Sequence, residues 1–317
     1  MRCSIPGGGG VDILAGFVFS PNAIASAPLV TEARVPAVVM NASSAHIPLL
    51  SPYIARVSFS TWHAAFPMGR YAHDELGCNR GAIGYSDYSP GVDSGLAFST
   101  GLEAAGGMLV ADVPMGGPGE VPDFVPFLRR VIDADPDCLW VFVPAGAHNA
   151  ALLEAYVETG MRSRGIKLLG PGALTQIARL QQIGDEAVGL MSMHHYSADY
   201  DTPANRAFVA AWRQAYGPDT TPGFMAVGGW DGMAAIAHAI TAQDGNVTAE
   251  GTMEALAGWS FESPRGSITI DPETRDIIHD QHVHEVVPGN PRPTVKVVRT
   301  YPQVRDPCKA LRVGECE

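Results

Sequence analysis

The sequence predicts an α/β protein of two lobes, and three observations carry that prediction. A chain of 317 residues with 46% hydrophobic and 17% charged residues exceeds what one small core needs, which favours two compact lobes. From Val11 the chain repeats one order, a short apolar run, a turn, then an amphipathic stretch, the grammar of strand–helix units laid into parallel sheets. Past about residue 260 the β segments follow one another without helices, which predicts an antiparallel addition at the end.

Taken in order, Val11 to Phe19 reads as the first strand. Ser20-Pro21 places a hydroxyl N-cap before proline at the first helical position and opens a helix to about Ala33. Pro36 to Met40, Ile54 to Ser58, Gly81 to Ser86, Met108 to Val113, Cys138 to Val143, Lys167 to Leu169 and Gly189 to Met193 continue the strands. Helices are expected near 62–76, 91–105, 124–134 and 147–160. Thr202-Pro203 caps another helix that ends before Gly217, with Phe208, Val209, Trp212 and Tyr216 on one face as a core stripe. Helices near 226–243 and 250–257 precede β segments near 266–270, 282–287 and 295–301.

Composition narrows the function classes. The net charge of -12 is spread over short acidic segments with no basic run interleaved with aromatics, which argues against a nucleic-acid or anionic-membrane partner and for a small ligand. No stretch approaches the roughly 18 to 20 apolar residues that span a bilayer. Met1 to Gly10 has no apolar core of the signal-peptide kind. The five cysteines lack zinc spacing, and Cys138 in its apolar run reads as a buried thiol. Cys308 and Cys316 are spaced to close a short loop in an oxidising compartment, a pairing that spacing alone leaves open.

Catalytic signatures fail one by one. Gly84-Tyr85-Ser86-Asp87-Tyr88 lacks the second glycine of a nucleophile elbow. GxGxxG and the Walker A pattern are absent, and the glycine run 7–10 precedes a strand where a phosphate loop would follow one. His279, His282 and His284 with Glu285 form the densest imidazole group, expected as a solvated strand face in preference to a metal site. His194-His195-Tyr196 follows a strand, where ligands of parallel sheets gather. A loop histidine satisfied by backbone groups is the competing reading.

Set in order and spacing, several strings resemble one family. They are Val11-Asp12-Ile13-Leu14-Ala15-Gly16 with Ser20, Val35-Pro36 through Asn41-Ala42-Ser43-Ser44, and Ser51-Pro52-Tyr53-Ile54-Ala55-Arg56. Farther along come Ser86-Asp87-Tyr88-Ser89-Pro90-Gly91, Phe98 through Glu103-Ala104-Ala105-Gly106-Gly107, and Asp123-Phe124 with Pro136-Asp137. Gly228-Gly229-Trp230-Asp231-Gly232 and Ser263-Pro264-Arg265-Gly266 before Ile270-Asp271-Pro272-Glu273-Thr274 complete the set. The whole, about residues 11–300, resembles the periplasmic solute-binding proteins of branched-chain amino-acid ABC transporters, the leucine/isoleucine/valine-binding family. The resemblance implies the type I binding-protein fold: two doubly wound parallel-sheet lobes joined by a three-strand hinge, with crossovers near Thr61, His195 and Asp276. Lobe 1 is then 1–60 plus 196–275, and lobe 2 is 61–195 plus 276–317. The chain opens at what matches the family's third strand, so the resemblance implies an incomplete first lobe that aggregates or unfolds easily.

The implied function is that of a monomeric, periplasmic ABC-importer component that performs no chemistry and uses no cofactor. It captures an amino acid or organic acid in the interlobe cleft by hinge closure and delivers it to a permease and its ATPase. A ligand-sensing module of the same fold is the alternative.

By resemblance, Ser20 and Ser44 match hydroxyls that bind the ligand carboxylate, with Ala42 and Ser43 offering backbone groups beside them. Capping and turn chemistry accounts for most serines at such places and is compatible with ligand binding. Trp62, Tyr88, Phe224 and Trp230 are candidates to wall the pocket, or core aromatics. One departure stands out. The family's amino-acid binders place an acid after the strand that here ends Leu169-Gly170-Pro171, where it neutralises the ligand ammonium; this chain has Gly172. The expected ligand is therefore a carboxylate lacking the amine, an aromatic or short aliphatic acid, with His194, His195 or Tyr196 supplying polar contacts.

Overall fold

The computed structural model describes residues 10–176, 180, 183–290 and 292–317; Cys3 and glycines 7–9 lie outside them. In chain order the first half comprises β1 (Leu14–Gly16), α1 (Ser20–Ala33), β2 (Ala37–Val39), β3 (Ile54–Arg56), α2 (Thr61–Asp74), β4 (Arg80–Tyr85), α3 (Ser89–Ala105) and β5 (Met108–Pro114). Then come α4 (Val125–Asp133), β6 (Cys138–Phe142), α5 (Ala147–Glu158), β7 (Lys167–Pro171) and β8 (Met191–His194). The chain closes with α6 (Pro203–Tyr216), α7 (Phe224–Ala242), α8 (Ala249–Leu256), β9 (Ser260–Ser263), β10 (Gly266–Ile270), β11 (Ile277–Val287), β12 (Thr294–Val304) and α9 (Pro307–Leu311). By internal contacts it divides into one unit of 1–60, 195–281 and 301–317, and another of 61–194 and 282–300.

In the first unit β1, β2 and β3 form a parallel sheet in that order, with Leu14 opposite Ala37 and Ala37 opposite Ile54. One face packs Val38, Ala55 and Val57 against Ala235 of α7 and Leu256 of α8; the other packs Ala37 and Val39 against Ala23, Ala27 and Val30 of α1. The glycines of the 228–232 string explain how α7 sits so near. A Cβ on Gly228 would lie 2.3 Å from the Met40 carbonyl, and one on Gly232 2.4 Å from the Met40 side chain. Between them Asp231 accepts from Arg265 Nε at 2.8 Å and from Ser263 Oγ at 2.7 Å, all buried. Arg265 in turn donates to the Ser58 carbonyl at 2.9 Å, so the string ties helix, hairpin and sheet together. Strands β9, β10 and the start of β11 pair antiparallel, as the change of pattern predicted.

The second unit is a parallel sheet in the order β5-β4-β6-β7-β8, continued antiparallel by β11. Strand order reverses between β4 and β6, which makes the carboxyl ends of these two strands a topological switch point, where ligands gather in doubly wound sheets. Leu139 and Val141 pack against Phe124, Leu128, Leu152 and Leu153 on the helical side. Helices α2 and α3 touch backbone to backbone. A Cβ on Gly101 would stand 2.0 Å from the Phe66 carbonyl, and one on Gly69 2.2 Å from the Phe98 carbonyl.

The structure corrects several sequence expectations. Cys138 is no free thiol: it is disulfide-bonded to Cys78, because the turn before β4 lies beside the start of β6, where Gly81 pairs Cys138. Cys308 and Cys316 are also bonded. The histidines of β11 are buried, not a solvated face: His279 packs against His195 and Arg265, and His284 against His194 and His282. Tyr216 leaves the core stripe, 65% exposed at the end of α6, while Phe208 and Val209 are buried. The sequence assigned all of 276–317 to the second lobe; contacts place 276–281 and 301–317 in the first unit. The reason is that β11 begins on β10 and the C-terminal helix is bonded to Asp276.

Gly101→Ala forces the α2–α3 backbones apart and is expected to lower stability by about 2 kcal/mol. Thermal or urea unfolding of the variant checks this.

Candidate functional site

The first element of the site is a turn built around one hydroxyl. Gly16 (φ 109°) and Phe17 (φ 65°) turn the chain left-handed off β1, and Ser20 opens α1. Its hydroxyl does not cap that helix, as the sequence suggested. Instead Ser20 Oγ accepts the backbone N–H groups of Ser43 at 3.1 Å and Ser44 at 3.0 Å. Having accepted twice, the hydroxyl keeps its one proton to give. Ala42 is fixed alongside, its N–H donating to the Phe17 carbonyl at 2.8 Å.

Charges invisible to sequence reasoning hold this turn from below. Arg56, fully buried at the end of β3, donates from Nη1 to the carbonyls of Ser44 (2.7 Å) and Ala42 (3.3 Å) and from Nη2 to that of Ala45 (3.3 Å). Its Nε and Nη2 bind the Asp276 carboxylate, the former at 2.9 Å. Lys309 Nζ adds bonds to the Ala45 carbonyl at 2.6 Å, Asp276 at 2.7 Å and Asp306 at 2.6 Å. An arginine closing an apolar strand was the one signal available; nothing in the spacing linked it to positions 276, 306 and 309. Ser20, Ala42, Ser43 and Ser44 are thus brought together at the amino end of α1, and the N–H groups of Ala42, Ser43 and Ser44, the backbone groups expected to be offered outward, are instead bonded within the turn.

In the same unit a second group is aromatic. Phe59, just past β3, lies 4.9 Å from the His195 ring and 6.0 Å edge-on from Phe224. His195 also stands 5.3 Å from His279. Arg265 donates to His279 Nδ1 at 2.6 Å, and the Gln281 side-chain amide nitrogen stands 3.0 Å from His279 Nε2. Phe59 and His279 were missed because they come from segments 136 and 84 residues from His195. Tyr196 gives its hydroxyl to Asn205 Oδ1 at 3.0 Å inside the unit, and burial holds its phenol far above the usual range. Trp230 is 46% exposed and packs 5.2 Å from Phe208, apart from this group.

In the second unit the decisive pair is Gly172 and His194. A Cβ on Gly172 would lie 1.7 Å from His194 Cδ2 and 1.9 Å from Nε2, so the imidazole fills the space a side chain at 172 would need. Burial, and then the neighbouring His284 and His282, hold His194 well below its usual pKa; burial and His282 lower His284 to about 4. Both rings are therefore neutral at pH 7, 5.5 Å apart. At the switch point, Tyr88 caps the amino end of α3 with its ring 6.2 Å from Phe142, and burial pushes its phenol up to about 12, keeping it a neutral donor. Trp62 is fully buried in α2 and stacks on Phe66 at 6.4 Å.

The first unit thus holds a turn centred on one hydroxyl and an aromatic group, and the second holds two neutral imidazoles, His194 and His284. A family model described as periplasmic binding protein matches residues 7–291, and the chain belongs to that family. It is similar to the Leu/Ile/Val-binding protein homolog 6 of Brucella melitensis, 38% identical over 299 residues, 94% of this chain and 76% of that protein. Two solved ABC-transporter solute-binding proteins of Rhodopseudomonas palustris share its fold. One, from strain BisB5 in complex with 3,4-dihydroxybenzoic acid, is 38% identical with a TM-score of 0.85 over 94% of this chain and 81% of that one. The other, from strain HaA2 in complex with p-hydroxybenzoic acid, is 34% identical with a TM-score of 0.89 over 95% and 81%. The type I periplasmic-binding fold and a solute-binding, non-enzymatic role follow from this family.

Ser20→Ala strands the buried N–H groups of Ser43 and Ser44 and is expected to destabilise the protein by about 1–3 kcal/mol in urea unfolding. The histidines set a pH dependence. His194 and His284 are neutral when folded but charge in the unfolded chain below the ordinary 6.5. The unfolded chain thus binds more protons as pH falls from 6.5 towards 4, so this stability is present above 6.5 and drains across that window. Tm should fall accordingly, and His284→Gln should flatten the slope.

Proposed function

We propose that this protein is the solute-binding component of an ABC importer for an aryl carboxylate of the hydroxybenzoate type. The observation that carries the proposal is the exchange at Gly172 and His194. Where the resemblance led to an acid for the ligand ammonium, a neutral imidazole occupies the volume. An ammonium buried without a counter-charge would be strongly penalised, whereas a neutral ring and phenol suit a ligand with no positive group. The Ser20–Ser44 turn retains the means of holding a carboxylate, and Phe59 and Phe224 offer faces and edges to an aromatic ring. Two relatives with more than 30% identity bind dihydroxy- and hydroxybenzoic acid. Capture by hinge closure, delivery to a permease with its ATPase, action as a monomer and residence in the periplasm belong to the same proposal; two disulfides fit an oxidising compartment.

Calorimetry against 4-hydroxybenzoate, 3,4-dihydroxybenzoate, acetate and leucine tests it. The aryl acids are expected to bind at least about 100-fold more tightly than leucine, because leucine brings an unpaired ammonium. The pair Gly172→Asp with His194→Ala should narrow that ratio. Tight leucine binding by the unaltered protein with none of the aryl acids would overturn the proposal.

A further inference from the structure

We infer that the C-terminal disulfide loop, from Cys308 to Cys316, is a positioning clamp on the carboxylate-binding turn. The turn at Ser43–His46 receives two side chains from this segment. Lys309 Nζ donates to the Ala45 carbonyl at 2.6 Å, and the Glu315 carboxylate meets His46 Nδ1. Both lie inside the eight-residue separation closed by the Cys308–Cys316 bond. Asp306 fixes the entry to that loop, accepting the Cys308 N–H at 2.9 Å and the Lys309 ammonium at 2.6 Å. Lys309 and both cysteines are buried, so the loop has little room to swing.

The site logic follows from what these contacts hold. Ser43 and Ser44 present their N–H groups to Ser20 Oγ only while the following carbonyls stay in place. Arg56 holds those carbonyls from the sheet side, and Lys309 holds Ala45 from the C-terminal side. A loop of this length is too short to fold alone, and the cross-link removes much of its freedom. The segment touches the anion turn by way of Ala45 and His46, so it acts on a ligand through the turn and Lys309 is a positioning residue.

The ligand arm of the test rests on the aryl-carboxylate proposal; the exchange arm does not. Three variants of the full chain, Cys308→Ser with Cys316→Ser, Lys309→Met, and Lys309→Arg, are compared with the unaltered protein. Backbone hydrogen exchange without ligand is read at Ser43 and Ser44, with the β6 amides as reference, and affinity is read for 4-hydroxybenzoate against its uncharged amide. The double serine variant and Lys309→Met are expected to speed exchange at Ser43 and Ser44 about tenfold with β6 unchanged. They should weaken 4-hydroxybenzoate about tenfold while sparing the amide, and Lys309→Arg should restore both. Unchanged exchange at Ser43 and Ser44, or equal acceleration throughout β1–β3, would overturn the clamp, as would equal loss of both ligands. If the unaltered protein binds neither probe, the aryl-carboxylate proposal falls and the exchange result alone decides the clamp.

Discussion

The Arg56–Asp276 pair is the interaction on which the first unit depends. All five guanidinium N–H groups of Arg56 reach acceptors: two on Asp276 and three on the carbonyls of Ala42, Ser44 and Ala45. Lys309 and Asp306 complete a buried group of two cations and two anions. Charges taken out of water in this way are tolerated only when every donor and acceptor is satisfied, and removing one partner of such a pair typically costs about 3–5 kcal/mol. Here satisfaction requires β3, the start of β11, the C-terminal helix and the 42–45 turn to be in place together. The network therefore couples folding of distant segments to the geometry of the 42–45 turn.

A second buried pair repeats the solution. Arg265 and Asp231 lie in different elements of the same unit, and burial pushes the Asp231 carboxyl up while the guanidinium opposes that shift. Arg265 also reaches the Val57 and Ser58 carbonyls and His279. Its fork thus sets both the end of β3 and the orientation of the imidazole beside His195. Charge in this unit orients backbone carbonyls and one ring.

Gly172 and His194 in the second unit are coupled sterically. Residues 172 and 194 are 22 apart in sequence, yet β7 and β8 are paired neighbours, with Pro171 opposite Met193. The residues next after this pair, Gly172 and His194, therefore share one space, and the ring of one excludes a side chain on the other. The space beside Gly172 is taken by a neutral imidazole. His284 across the β8–β11 pairing keeps the surroundings neutral in turn.

The strand–helix alternation, the antiparallel ending and the Thr202 cap were legible in the sequence, because periodicity and capping are local properties that packing here reinforces. So was the absence of an acid at 172. The brief strand β9 and five-residue helix α9 were not, since so few residues carry no period. Burial of the β11 histidines, pairing of Cys78 with Cys138, and the partners of Ser20 and Arg56 were decided by how distant strands, turns and the C-terminal helix come together. Sequence by itself determined the longer strands and helices and that position 172 carries no charge; only the tertiary structure decided what stands beside it. The reason is physical: a hydroxyl, a guanidinium or an imidazole acquires its role from the groups it meets, and those groups come from segments whose proximity no local pattern encodes.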